Sequence, residues 1–137
     1  MAILLDVSAV VAAADADDLN HPAMLGWLDR VDEPLLTGTL TLAEIDHVLA
    51  RALGPAASRA FVETIVAGGV RLVTPTEDDL SRALELLEES ADAQPRLPEA
   101  VLASTAERLG VRRIATFDRR PIAIFRPRHV RSFQFEP

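Results

Sequence analysis

Four short apolar runs, kept apart by segments of helical periodicity, are the feature that most restricts how this chain can fold. Residues 2–5, 35–37, 70–74 and 111–116 are rich in Ile, Leu and Val and too short for helices, so they read as buried strands. Ser8 is placed to cap a helix over 9–14. Residues 21–30 carry Met24, Leu25 and Leu28 at helical spacing, with Pro22 in the first turn. A longer helix, opened by Thr39 or Thr41 and running to Leu53, puts Ile45, Val48, Leu49 and Ala52 on one face, and Gly54 stops it. Pro55 opens another helix to about residue 67. Thr76 with Asp79 resembles a capping box with Asp in place of Glu, ahead of Leu80, Ala83, Leu84 and Leu87. After a polar loop at 92–96, a helix runs from Pro98 to Leu109 with Gly110 as its C-cap. The tail, 122–135, alternates enough for a fifth strand. Strands alternating with helices predict an α/β fold: a three-layer α/β/α domain around a mostly parallel sheet of four to five strands. At 137 residues the length suits one domain, 1–137.

In such a sheet the ligand crevice lies beyond the carboxyl ends of the strands. Two acids fall there. Asp6 follows the first strand and Asp118 the fourth. Glu44 and Glu99 lie near the starts of helices that leave the same edge. Four carboxylates in one crevice repel one another and stay ionised together only around a cation. Oxygen-only donors select Mg²⁺ or Mn²⁺, an ion able to activate water and neutralise a phosphodiester. Taken singly, each acid also fits a helix cap or a turn.

Composition narrows the chemistry. There is no Cys, which excludes disulfides, thiolate metal sites and Cys nucleophiles. The longest uncharged run near the start, 7–14, is too short to span a bilayer, and no basic segment precedes it. A cytoplasmic protein with no membrane partner is expected. The net charge of −7 argues against nucleic acid, but its distribution does not. All 14 basic side chains are Arg. Eight of them lie between Arg108 and Arg131 with one acid, giving +7 there and −14 elsewhere. Arg112, Arg113, Arg119 and Arg120 flank Asp118 and are candidates for an RNA backbone, because the guanidinium fork donates bidentately to phosphate. The competing role for this strip is pairing with the acids of 77–92 or with a partner's carboxylates.

Four motifs together resemble the PIN-domain nucleases. Ile3-Leu4-Leu5-Asp6-Val7-Ser8-Ala9 is similar to their first strand and Asp-Thr-Ser-Ala signature. Ala43-Glu44 resembles their Ala-Glu helix start, Leu97-Pro98-Glu99-Ala100 their Leu-x-Asp-Ala helix, and Thr116-Phe117-Asp118-Arg119-Arg120 their Thr-x-Asp-Arg-Arg element. The order holds over nearly the whole chain, and the size resembles VapC-type toxins of toxin–antitoxin systems. The resemblance implies a Mg²⁺- or Mn²⁺-dependent endoribonuclease toxin acting on structured RNA such as tRNA or rRNA. It also implies a VapB-type antitoxin as partner and a homodimer. Carried over by position, Asp6, Glu44, Glu99 and Asp118 form the catalytic quartet, with Asp6, Glu99 and Asp118 as metal ligands and Ser8 as the supporting hydroxyl. Two positions depart from the family. Val7 stands where Thr is usual, and Glu99 where Asp is usual. These departures define the alternative, a catalytically weakened PIN-like module that binds antitoxin or RNA. A strand ending in Asp also opens the haloacid dehalogenase-type phosphatases, but they need a second Asp where this chain has Ser8.

The remaining distinctive residues have plainer roles. His21, His47 and His129 show no ligand spacing and belong at surfaces or helix ends. Trp27 sits among apolar neighbours, in the core or in a groove. The helices carrying Met24–Leu28 and 47–51 are positioned to flank an apolar groove for an antitoxin segment.

Overall fold

A computed structural model describes residues 1–137. The elements run β1 (Ile3–Leu5), α1 (Val7–Ala14), α2 (His21–Leu28), β2 (Leu35–Gly38), α3 (Thr39–Leu53), α4 (Pro55–Val66), β3 (Arg71–Val73), α5 (Glu77–Glu89), α6 (Leu97–Leu109), β4 (Arg113–Ala115), α7 (Arg120–Ala123) and β5 (Gln134–Glu136). A single turn of 3-10 helix, Ala91–Ala93, precedes α6. All five strands are parallel, in the order β3-β2-β1-β4-β5. No helix is long and apolar enough to cross a membrane.

The central strand explains the three layers. Successive side chains of a strand face opposite sides. Leu4 therefore enters one apolar cluster with Leu36, Leu86, Ala103 and Ile114, under α5 and α6. Ile3 and Leu5 enter a second with Val10, Met24, Trp27, Ile45 and Leu49, under α1, α2 and α3. Registers Leu4↔Leu36 and Leu4↔Ile114 keep like-facing residues side by side. A strand covered on both faces needs an uninterrupted apolar run, which is what Ile3-Leu4-Leu5 provides.

Local signals hold at several helix ends. Thr76 and Asp79 form the reciprocal capping box, with Asp79 N–H donating to Thr76 Oγ1 at 3.1 Å and Thr76 N–H to Asp79 Oδ2 at 3.0 Å. Gly110 takes the left-handed conformation that ends α6, φ 68°.

The structure corrects other readings. Helix α1 begins at Val7 with Asp6 as its N-cap residue, so Ser8 lies inside the helix and caps nothing. Its hydroxyl has a better use across the sheet, described below. The tail is not one long strand over 122–135. Pro121 fits a first helical turn, α7 forms there, and Ile122, Phe125 and Phe133 fold into the core before β5 pairs with β4 over three residues.

Burial separates two strand substitutions. Ile114→Ala, at a fully buried site between β1 and β5, is expected to destabilise the protein by about 2–5 kcal/mol. Leu72→Ala, on edge strand β3 and 39% exposed, is expected to lower stability by about 1 kcal/mol or less. Urea denaturation of the two variants checks the ordering.

Candidate active site

The chain builds β1, β2 and β3 outward on one side, then returns to lay β4 and β5 on the other side of β1. The direction of winding therefore reverses between β1 and β4, and a crevice opens where the two strands end. Asp6 follows β1 directly, and its N–H donates to Ala115 O at 3.0 Å, continuing the β1–β4 ladder by one bond. Although Asp6 is the N-cap residue of α1, its side chain caps nothing. It turns instead to Thr116, which follows β4 and is fully buried.

Hydroxyl groups set the orientation of Asp6. Thr116 Oγ1 lies 2.9 Å from Asp6 Oδ2 and 2.9 Å from Ser8 Oγ, and it accepts from Asp118 N–H at 3.0 Å. Ser8 Oγ accepts from Phe117 N–H at 2.9 Å. An ionised carboxylate only accepts, so the single Thr116 proton goes to Asp6 and Ser8 donates to Thr116. The relay Ser8 to Thr116 to Asp6 ties α1 to the residues after β4. Val7 packs its apolar side chain against the core under α1. Hydroxyls beside Asp6 thus come from Ser8 and Thr116, and none is needed at position 7.

The other acids enter from two helices and one loop. Glu44 lies in α3 and is half-buried. Glu99 is the third residue of α6, in the first turn, where the helix dipole favours negative charge. Its side chain is only 13% exposed, and its Oε2 is buried with no hydrogen-bond partner. Asp118 is exposed at the mouth. Burial pushes the Asp6 carboxyl above its ordinary value. The Thr116 bond opposes that rise, and the nearby charges of Glu44 and Asp118 add to it. Burial likewise raises Glu99, with Glu44 and Asp6 adding. Asp6 thus feels the charges of Glu44 and Asp118, and Glu99 those of Glu44 and Asp6.

They do not close into a preformed ligand set. No three acidic or histidine side chains come together tightly enough to hold a metal ion. The reason is electrostatic. Ionised carboxylates repel, and the nearby cation is Arg96, whose Nη2 bonds Glu44 Oε1 at 2.8 Å while its Nη1 lies 3.8 Å from Glu99 Oε1. The donors are nonetheless all carboxylate oxygens, and the orphaned Glu99 Oε2 needs a partner. Both features fit a hard divalent cation.

The basic strip divides in two. Arg113 begins β4 and pairs with Glu136 at 2.6 Å and with Glu33. Arg112 is exposed just before the strand, and the Arg113 guanidinium reaches Glu136 at the carboxyl end of β5. Arg108 is held by Asp79 at 2.9 Å and Arg128 by Glu85 at 2.9 Å. Arg119 and Arg120 remain exposed beside Asp118. Arg119 donates to Pro137 O at 3.2 Å, and Arg120 makes no ion pair.

Sequence reasoning passed over Arg96 and assigned Thr116 no role. Arg96 stands one turn ahead of Glu99, and Thr116 two residues before Asp118, so both spacings were visible. His21 opens α2, with Nδ1 2.6 Å from Ala12 O, and His47 is exposed, both as expected. His129 departs from that expectation: it is half-buried in a loop against Phe133, with Nε2 2.6 Å from Val111 O and Nδ1 buried without a partner. Trp27 is buried in the second cluster and donates to Glu136 Oε2 at 3.0 Å. An apolar cavity of about 470 Å³ lies between α1, α2 and α4, lined by Val10, Met24, Leu28, Ala57, Phe61 and Val70 among others. Its second wall is α4, and not the 47–51 segment of α3, because Leu49 there is buried in the core.

The family model of the PIN domain matches residues 3–126. Ribonuclease VapC26 of Mycobacterium tuberculosis is 26% identical over 125 residues, which make up 91% of this chain and 93% of that protein. The crystal structure of M. tuberculosis VapC20, a toxin that cleaves the sarcin–ricin loop, superposes with a TM-score of 0.82 at 22% identity, covering 94% of this chain and 98% of that one. VapBC2 from Rickettsia felis, bound to a DNA fragment from its promoter, gives 0.71 at 12% identity, covering 99% and 98%. At these identities the structural matches establish the fold, with the sheet and helices arranged alike.

The raised carboxyls imply a pH dependence. A carboxyl whose folded value lies above its unfolded one favours the folded state when protonated. That contribution is complete below the unfolded value, near 3.8 for Asp6 and 4.5 for Glu99, and is lost as pH rises from there through the folded value. In a chelator, Asp6→Asn and Glu99→Gln are therefore expected to melt higher than wild type at pH 7, with the gap closing at pH 4. Melting curves across this range check it, and equal melting temperatures at pH 7 would contradict it.

Proposed function

This chain belongs to the PIN-domain family, and we propose that it is a VapC-type endoribonuclease whose activity depends on Mg²⁺ or Mn²⁺. The observation that carries this reading is the set of Asp6, Glu44, Glu99 and Asp118 around the crevice between β1 and β4, with Glu99 Oε2 buried and unpartnered. Asp6, Glu99 and Asp118 would hold the ion, with Glu44 completing the carboxylate set. Bound there, a divalent cation supplies charge neutralisation at a phosphodiester and makes water acidic enough to attack it.

The chain's own residues prepare that chemistry. The Ser8–Thr116 relay fixes the Asp6 Oδ2 oxygen in place. Burial of Asp6 and Glu99 keeps their oxygens weakly solvated, so a cation recovers more electrostatic energy there than at an exposed site. Arg119 and Arg120, exposed next to Asp118, would take phosphates of the RNA backbone. The acidic body opposes RNA elsewhere on the surface and confines it to this approach.

The relatives support a partner as well. The VapBC2 structure is that of a toxin–antitoxin complex, and a VapB-type antitoxin is proposed here too. The apolar cavity between α1, α2 and α4 suits an amphipathic segment of such a protein, laid with its apolar face inward.

Two measurements test the reading. Cleavage of total cellular RNA by the purified protein is expected to require Mn²⁺ or Mg²⁺. It should fall by about two to three orders of magnitude in Asp6→Asn and in Asp118→Asn, the loss that several kcal/mol of charge stabilisation implies. Cleavage that survives both substitutions would overturn it. Separately, Arg119→Ala with Arg120→Ala is expected to reduce the salt slope of RNA binding by between about 1 and 2, whereas Arg113→Ala leaves that slope unchanged.

A further inference from the structure

We infer that Arg96 is a built-in counter-cation of the acidic crevice, competing with a divalent metal ion for Glu44 and Glu99. The inference rests on the reading that this crevice takes such an ion, and it concerns what holds the carboxylates when the ion is away.

Arg96 occupies the N-cap position of α6, yet a guanidinium has no acceptor atom with which to cap a helix. Its side chain reaches across the crevice instead, to Glu44 on α3, 52 residues away in sequence, and towards Glu99 on its own helix. It is the one cation paired with either acid. The ion pairs of Arg82 have a structural character by contrast. Arg82, 11% exposed, is held by Glu85, Glu89 and Glu107 and fastens α5 to α6. Arg96 is 66% exposed, so its guanidinium enters from solvent and leaves again without unpacking any core.

The fit is also incomplete. Arg96 lies near one oxygen of Glu99, and the other remains buried and unpartnered. A single positive charge thus holds two of the four acids together and leaves Asp6 and Asp118 without a cation. A divalent ion held by Asp6, Glu99 and Asp118 carries twice the charge and sits beside the guanidinium, which repels it and shares the attraction of Glu44 and Glu99. Occupancy by the ion and the Arg96 contacts therefore disfavour each other, and each weakens the other by the same factor.

This arrangement predicts two effects of opposite sign. Removing Arg96 takes away a competitor and should strengthen metal binding. It also takes away the charge that offsets repulsion between Glu44 and Glu99, and should lower the stability of the metal-free protein. The experiment is calorimetric titration of Mn²⁺ into wild type, Arg96→Gln and Arg96→Lys at low ionic strength, with melting curves in a chelator. Arg96→Gln is expected to bind Mn²⁺ about fivefold tighter, in line with the worth of an exposed ion pair, and to melt lower without metal. Arg96→Lys, which keeps the charge but loses the fork, should fall between the two. Unchanged or weaker Mn²⁺ binding by Arg96→Gln overturns the inference while leaving the metal reading intact, provided wild type binds. Absence of Mn²⁺ binding in both wild type and Arg96→Gln overturns the metal reading itself, and the inference with it.

Discussion

The side-by-side pairing of β1 and β4 is the constraint on which the rest of the molecule depends. Three registers, Ile3↔Arg113, Leu4↔Ile114 and Leu5↔Ala115, set the two strands together, and the bond from Asp6 N–H to Ala115 O extends the ladder past the end of β1. From that point the side chains have little freedom. Leu4 and Ile114 must share one core and Leu5 and Ala115 the other. Asp6 and Thr116, the next residues on each strand, must then meet at the edge. A slip of one residue would turn Leu4 toward the wrong layer and separate Asp6 from its hydroxyl partner.

Electrostatics at that edge run against stability. The fold brings four carboxylates to one crevice and buries two of them enough to raise their affinity for protons. A surface built only for stability would keep such groups apart in solvent, where like charges cost little. Here the cost is offset locally by devices that each act on one oxygen or one pair: the Thr116 hydroxyl on Asp6, the dipole of α6 on Glu99, and Arg96 on Glu44. None neutralises the whole set, so the four acids keep a net negative charge at this edge.

The arginines show how charge composition misleads when it is read as a patch. Eight Arg in the last quarter of the sequence look like one basic surface. In three dimensions Arg108 and Arg128 are bound to acids of α5, and Arg113 is held between Glu33 and Glu136. Glu136 also accepts from Trp27, so the same knot joins α2, β4 and β5. These are fold-holding contacts made by residues whose guanidinium fork suits carboxylate and phosphate equally well. Arg112, Arg119, Arg120, Arg126 and Arg131 remain exposed and outside any ion pair, and of these Arg119 and Arg120 adjoin Asp118.

What was legible from residues alone follows from short-range physics. Apolar runs of strand length, the Thr76–Asp79 cap and the left-handed Gly110 all report local preferences, and the parallel order of the sheet follows from strands that alternate with helices. Asp6 and Asp118 were legible too, because a strand end in such a sheet is a fixed place. Tertiary structure decided the rest. Ser8 looked like a helix cap, and only the approach of residues 116 and 117 made it a link in the Asp6 relay. The tail looked like one strand, and only the core's demand for Ile122, Phe125 and Phe133 bent it into α7 and a short β5. The counter-charge for Glu44 came from Arg96, which no local pattern pairs with α3. In each case the deciding partner lies far away in the chain, and a side chain's role is set by whichever group the fold brings within hydrogen-bond reach.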